Sequence, residues 1–308
     1  MYVIFCQIHT IQKREEKIVK NDKLQMILAM VIFGTIGLVR RYIPYPSEWI
    51  AFIRGFVGVS FLLLLQMLHK KTFVWEPVKH NLALLLVSGA CLGFNWILLF
   101  EAYCYTSVAV ATICYYMAPV IVIVLSPVVL KETITLKKGL CAMGAVVGMV
   151  LVTNVINSGV SGLQGVFFGL GAAVLYAAVV LLNKKITDIP SRDRTVFQLG
   201  ISAVTLLPYV MVKGNITSFT PEPLALSMLL IAGIVHTGIA YSLYFGSINR
   251  ISAQTVALFS YIDPIVAVLL SAFVLHEPMT PVMAAGVVLV IVSAVVSEID
   301  LTALNLFQ

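Results

Sequence analysis

Four ionisable side chains, Arg54, Glu101, His236 and Asp263, fall inside stretches of sequence that are otherwise apolar. A charge at the centre of a bilayer costs about 2.5–3.5 kcal/mol on insertion scales, so each needs a reason to be there. With a rise of about 1.5 Å per residue, His236 and Asp263 come to rest near mid-depth, while Arg54 and Glu101 lie toward the outer ends of their stretches. That spacing suggests a central pair, Asp263 with His236, and an outer pair, Glu101 with Arg54. Asp263 could take up a proton or hold a substrate cation, or it could make a structural salt bridge between helices. Pro264 follows it directly and, lacking an N–H, leaves the Ser260 carbonyl for another partner. His236 titrates in a range that suits a proton relay, though a neutral ring donating one hydrogen bond is the alternative. Arg54 and Glu101 read either as a gate or as charges that snorkel to water.

Aromatic residues cluster at the same depth. Thr112, Tyr115, Tyr116 and Pro119 fall at i, i+3, i+4 and i+7, one face of a helix. The corresponding face further along is Ala257, Ser260, Tyr261 and Pro264. Two proline-bent helices carrying tyrosines at mid-depth, with Trp96 and Tyr176 beside them, could wall a substrate cavity of apolar rings and hydroxyls. For any single ring, core packing is the plainer account.

The elements that must position these groups are membrane helices. Of the 308 residues, 60% are hydrophobic and only 11% charged, too few charges to cover a soluble domain of that size. Ten apolar stretches of about 20 residues occur, at roughly 24–42, 48–68, 82–102, 107–130, 136–154, 163–183, 193–212, 224–246, 252–275 and 279–297. The expected fold class is therefore an all-α membrane protein. Sixteen of the 20 Lys and Arg fall on one side if alternate loops share it, so the positive-inside rule puts both termini in the cytoplasm; the plasma (inner) membrane is the expected location. The net charge of +6 is then a topological signal, with no nucleic-acid partner implied. The five cysteines and five histidines have no metal spacing, no nucleophile sits with a base, and there is no phosphate-binding Gly-x-x-x-x-Gly-Lys motif. Neither a catalytic site, a cofactor nor an ATP-driven pump is expected. Residues 1–23 read as an interfacial cytoplasmic segment or as a misassigned start ahead of Met26.

The chain also repeats itself. Residues 98–135 and 243–280 align without a gap at an offset of 145, and eleven of the 38 positions are identical, including Tyr116/Tyr261, Pro119/Pro264 and Glu132/Glu277. Asp263 breaks the pattern, because its counterpart is Ala118. Two five-helix units follow, over 24–154 and 163–297, joined by a polar, Gly- and Ser-rich linker at 155–162 and followed by a tail at 298–308. Five is odd, so the second unit must enter from the opposite side, an inverted repeat of the kind used for alternating access. Small residues every four positions, Gly165, Gly169, Ala173, Ala177 and Gly144, Gly148, mark close helix packing, either a static seam or a rocking one.

In Tyr105-Thr106-Ser107 through Pro119 to Lys131-Glu132, and in Ile251-Ser252-Ala253 through Pro264 to His276-Glu277, the chain resembles the EamA-type members of the drug/metabolite transporter superfamily. The resemblance runs from about Leu24 to Val296 and implies ten helices in two inverted repeats around a central cavity. It implies a carrier of small metabolites such as amino acids, many such proteins being exporters. Glu132 and Glu277 match that family's acid after the fourth helix of each unit, with helix capping or a coupling role as the alternatives. The expected partners are a small-molecule substrate and the lipid bilayer, with protons as candidate coupling ion. Uptake or exchange of a small polar or cationic metabolite is the alternative function, and a channel or lipid translocator the next.

Overall fold

The computed structural model describes residues 21–106, 108–152, 162–213, 222–274, 276 and 279–298, and no strand occurs among them. The expectations for residues 1–20, Ser107, the linker 155–161, Glu277, Pro278 and the tail beyond 298 concern positions outside the described residues. Among the described residues, six helices are long and apolar enough to cross a membrane: α1 (Asn21–Arg40), α2 (Ser47–Leu68), α4 (Leu82–Tyr105), α8 (Leu163–Lys185), α9 (Ser191–Lys213) and α10 (Pro223–Ser247). A short α3 (Trp75–His80) precedes α4, and α7 (Leu136–Val152) and α13 (Pro281–Glu298) are shorter apolar helices. The chain is a multi-pass membrane protein.

The stretches expected as continuous helices at 107–130 and 252–275 are each broken in two, a correction to the bent helices anticipated above. The first gives α5 (Val108–Tyr115) and α6 (Ala118–Leu130), the second α11 (Ala253–Phe259) and α12 (Ile262–Phe273). Pro119 and Pro264 fall in the first turn of α6 and α12, where backbone N–H groups have no helical acceptor anyway. The prolines therefore start new helices instead of kinking old ones.

Other landmarks recur at the same 145-residue offset. Lys131 and His276 both take a left-handed conformation, φ 59° and 55°, at the end of the broken pair. Thr135 and Thr280 each accept from the backbone N–H three residues on, at 3.3 and 3.2 Å, and so cap α7 and α13. The equivalent segments run antiparallel. Gln254, at the start of α11, donates to Ser126 and to the Thr133 carbonyl at the end of α6, 3.2 and 3.1 Å. Halfway along, the Tyr261 hydroxyl donates to the backbone carbonyl of its own counterpart, Tyr116, at 3.1 Å.

Packing is tight where the sequence is small. A Cβ on Gly169 would come within 2.7 Å of Cys114, and one on Gly165 within 2.6 Å of Thr106, so α8 lies against the α4–α5 junction. A Cβ on Gly144 would meet Ser293 at 2.6 Å and one on Gly148 would meet the Gly286 carbonyl at 2.8 Å, which joins α7 to α13. The interior is polar as well: Gln198 donates to Ser88 and Asn183, both at 2.8 Å, and Asn95 to the Ala172 carbonyl at 2.6 Å. Outward-facing residues are instead apolar, among them Val128, Met211 and Phe167. Lipid, not water, is the solvent such a surface suits.

Candidate functional site

A cavity of about 760 Å³ lies among α1, α2, α4, the two broken helices, α8 and α10. Five tyrosines, from α5 and the break that follows it, α8 and α10, converge at its centre. Tyr115 packs edge-on to Tyr116 (centroids 5.5 Å) and tilts against Tyr176 of α8 (5.8 Å). The Tyr176 hydroxyl donates to the Tyr244 hydroxyl at 3.2 Å and lies 3.5 Å from Ser260 Oγ. From Tyr244 the ring of aromatics continues through Tyr241 to Trp96, 6.1 Å apart, with Phe33 of α1 set edge-on to Tyr241 at 5.0 Å.

Two charges of opposite sign lie deep in this wall. Asp263, in the first turn of α12, has the Tyr116 hydroxyl as a hydrogen-bond partner. That bond is made across the internal repeat, from one break to the other. Arg54 of α2 stacks its guanidinium over the Trp96 ring, 4.6 Å from the centroid. Its Nε is buried without a hydrogen-bond partner. A third charge, Arg40, stands at the mouth and donates to the backbone carbonyls of Ile43 and Tyr45.

Of the residues singled out from sequence, Trp96, Tyr115, Tyr116, Tyr176, Arg54 and Asp263 line this one cavity. Tyr261 does not. It is 1% exposed and packs behind the wall with Met149 and Val290, holding Tyr116 by its backbone.

Neither expected ion pair forms. His236 bonds Thr35 of α1, Nε2 to Oγ1 at 2.8 Å, instead of Asp263. The cause is a single π-helical turn, Ile234–Ile239, in the middle of α10. It re-registers the helix, as the Thr237 hydroxyl bond to the carbonyl of Ala232 five residues back records. Glu101 pairs with Lys213 at 2.6 Å and accepts from the Tyr209 hydroxyl, both on α9. Arg54 is thereby left with an aromatic face, and no carboxylate lies within ion-pair distance of it among the described residues. Sequence reasoning missed Tyr241, Tyr244, Phe33 and Arg40 as cavity residues. The tyrosines at i, i+3 in α10 carried a signal, but the π turn that aims them follows from backbone hydrogen bonding, which composition does not encode.

The cavity reaches the end of the bundle that carries Arg40, Ile43 and Ile50. At the opposite end, polar contacts draw the helices together. Lys184 donates to the Ile251 carbonyl, Lys138 lies 3.3 Å from Ser252 Oγ, and Glu132 accepts from the Ala253 backbone N–H at 2.9 Å. Nearby, buried Arg194 donates to the carbonyls of Ile186, Ile189 and Phe245.

Comparison with known proteins gives one consistent answer. The EamA-like transporter family matches twice, over residues 23–154 and 163–298. An uncharacterized transporter of Bacillus subtilis, YxxF, is 30% identical over 260 residues, covering 80% of this chain and 79% of that protein. A second from the same organism, YwfM, is 26% identical over 281 residues, 89% and 92% of the two chains. Protein RarD of Escherichia coli is 24% identical over 264 residues, 82% and 86%. A crystal structure of a protein is similar with a TM-score of 0.78 over 91% of this chain and 98% of that one. At 16% identity it speaks to the fold alone.

Proposed function

This chain belongs to the EamA-like transporter family, of the drug/metabolite superfamily, and is a transporter and not an enzyme; from that premise we propose a secondary carrier that moves a small metabolite such as an amino acid outward by alternating access, coupled to protons. One observation carries the reading. An aromatic-walled cavity sits where two equivalent broken helices cross antiparallel, reaching one end of the bundle and drawn shut at the other. A pocket of this size fits a metabolite of amino-acid dimensions.

Two inverted five-helix units, 24–154 and 163–297, give this arrangement a partner state of similar energy. Support comes from the antiparallel run of α5–α6 against α11–α12 and of α7 against α13, and from the matching landmarks at Lys131/His276 and Thr135/Thr280. The shut end carries Lys138, Lys184 and Arg194, the side that the positive-inside rule assigns to the cytoplasm of a plasma-membrane protein with cytoplasmic termini. The described conformation is then the outward-facing one.

Asp263 is the proposed proton site. It lies in the cavity wall, its carboxylate meets the hydroxyl of the opposite repeat, and its counterpart Ala118 cannot titrate. Taking a proton there alters the tie to Tyr116 that links the two breaks. Counterflow of labelled amino acids in proteoliposomes, with and without a pH gradient, tests the proposal. Saturable flux, accelerated by the gradient in wild type and indifferent to it in Asp263→Asn, is the expected result. An unchanged gradient response in that variant removes Asp263 from coupling, and no saturable flux across an amino-acid panel sinks the carrier.

A further inference from the structure

We propose that Arg54 is the subsite for a substrate carboxylate, so that the carried metabolite is an organic acid or amino acid whose anionic group docks on the Arg54 guanidinium beside Trp96. The inference rests on the carrier reading above and names the substrate chemistry of its cavity.

Among the described residues no carboxylate pairs with Arg54. A guanidinium keeps its charge under all ordinary conditions and offers five N–H donors in a fork that matches a carboxylate. Taken out of water, such a charge is retained only where it is paired or hydrogen-bonded. The other charges near the cavity have protein partners. Arg40 is tied to the carbonyls of Ile43 and Tyr45, Asp263 to Tyr116, and Glu101 to Lys213 and Tyr209. Arg54 has the Trp96 face, and its Nε is left unpartnered. Glu101, the acid that sequence offered as its counter-ion, is engaged on α9.

Stacking on Trp96 fixes the plane of the guanidinium but uses none of its donors, which lie at the edges of that plane. Trp96 is itself anchored: it is 5% exposed and donates from its indole N–H to the Tyr241 hydroxyl. The result is a pre-oriented fork in a wall of rings, with the cavity's remaining lining mostly apolar. A ligand suited to this has one carboxylate and an apolar or aromatic body. Arg40 at the mouth adds a second positive charge on the way in. An amine on the ligand is not required by Arg54.

The test uses the full chain in detergent with Trp49→Phe and Trp75→Phe, leaving Trp96 as the only tryptophan and as a reporter next to the subsite. Fluorescence titrations are run with 3-phenylpropionate, phenylalanine and phenethylamine, which share a ring and differ in charge. The expected result is a saturable signal with the two carboxylates and none with the amine. Arg54→Gln should weaken both carboxylates by about tenfold or more, and Arg54→Lys, which keeps the charge but not the fork, by less. Arg41→Gln, outside the cavity lining, should leave them unchanged. Arg54→Lys and the melting temperature guard against a variant that merely misfolds. The subsite is overturned if phenethylamine saturates and the carboxylates do not, if neither carboxylate saturates, or if both Arg54 variants bind as wild type does. Carboxylate binding without any flux in proteoliposomes would keep the subsite and end the carrier reading, so the two failures are separable.

Discussion

The two ends of the cavity are built on different principles. At the end carrying Lys184, long side chains and amides reach into neighbouring backbone: Lys184 to the Ile251 carbonyl, Gln254 to that of Thr133, Glu132 to the Ala253 N–H, Arg194 to three carbonyls. These bonds cross between α6, α8, α9, α10 and α11, and Gln254 and Arg194 are almost fully buried. At the other end, Arg40 bonds carbonyls of the turn that follows it, and the mostly buried Glu101 of α4 meets the half-exposed Lys213 of α9. The first set is drawn largely from the buried interior, whereas the second is one local tie and one α4–α9 pair whose lysine is exposed. A carrier that exchanges which end is shut must give up the buried set, so that set decides the balance between states.

The largest effect is expected at the α7–α13 seam, where the two helices approach most closely at glycine. A Cβ at Gly148 would lie 2.5 Å from Val290 Cγ2 and 2.8 Å from the Gly286 carbonyl, and backbone cannot yield as a side-chain tip can. Gly148→Leu should destabilise by about 3 kcal/mol or more, since overpacking of well-packed sites costs roughly 1–3 kcal/mol and this one meets backbone. A melting-temperature fall of several degrees, with transport lost, is the expected readout. Gly139→Leu, in open space, is the matched control and should be silent. Equal behaviour of the two would mean that the seam is not closely packed.

Next in size is the shut end itself. Glu132→Ala removes the acceptor of the Ala253 N–H at the start of α11, a cap contribution of about 1–2 kcal/mol. In a two-state carrier that shifts populations by roughly 5–30-fold. On a background without native cysteines, the cysteine of Gln254→Cys should react with maleimide about tenfold faster when Glu132→Ala is added. Gly37→Cys, in the cavity wall toward the open end, should slow in the same background. Parallel acceleration at both sites would indicate general loosening and not an exchange of ends.

How much of this was legible in sequence depends on which interaction decides each feature. The apolar stretches, the offset repeat and the tyrosine face are composition and period; they led to an expected cavity set of Trp96, Tyr115, Tyr116, Tyr176, His236, Tyr261 and Asp263. Of these, His236 and Tyr261 do not line the cavity, while Arg54, expected only as an outer gate or a snorkelling charge, does. The partners of the charges were not legible. His236 faces Thr35 because of a π turn, and Glu101 finds Lys213 because α9 ends beside α4; both are tertiary outcomes that depth alone cannot reveal. The breaks at 116–117 and 260–261 were half legible, since Tyr-x-x-Pro marks a helix start as well as it marks a bend.

Lys184→Met should have a smaller consequence than Glu132→Ala. It removes one charge-assisted bond to the Ile251 carbonyl but leaves a methylene stem of similar length in the same packing. A bond from a charged donor contributes about 1.5–3 kcal/mol, but the apolar replacement also removes the cost of holding an ammonium between helices. A net of about 1–1.5 kcal/mol is therefore expected, and Gln254→Cys labelling should rise several-fold. A rise larger than that seen with Glu132→Ala would reverse the ranking and make the lysine the principal tie.

The smallest effect is expected at the open end. Glu101→Gln breaks the contact with Lys213, whose side chain is 54% exposed, and leaves an amide that can still accept from Tyr209. Water and salt compete for such a lysine, and exposed ion pairs contribute little that survives screening. Labelling of Gly37→Cys and Gln254→Cys should therefore change by less than about twofold, with melting essentially unmoved. Raising the salt concentration should change labelling in the wild type as little as the substitution does. The contrast with Glu132→Ala is the point: two glutamates near opposite ends of the bundle, one capping a neighbouring helix and the other paired with a solvent-exposed lysine. If Glu101→Gln shifted the labelling pattern as far as Glu132→Ala, both ends would be fastened alike, and the described conformation would sit between two states instead of at one of them.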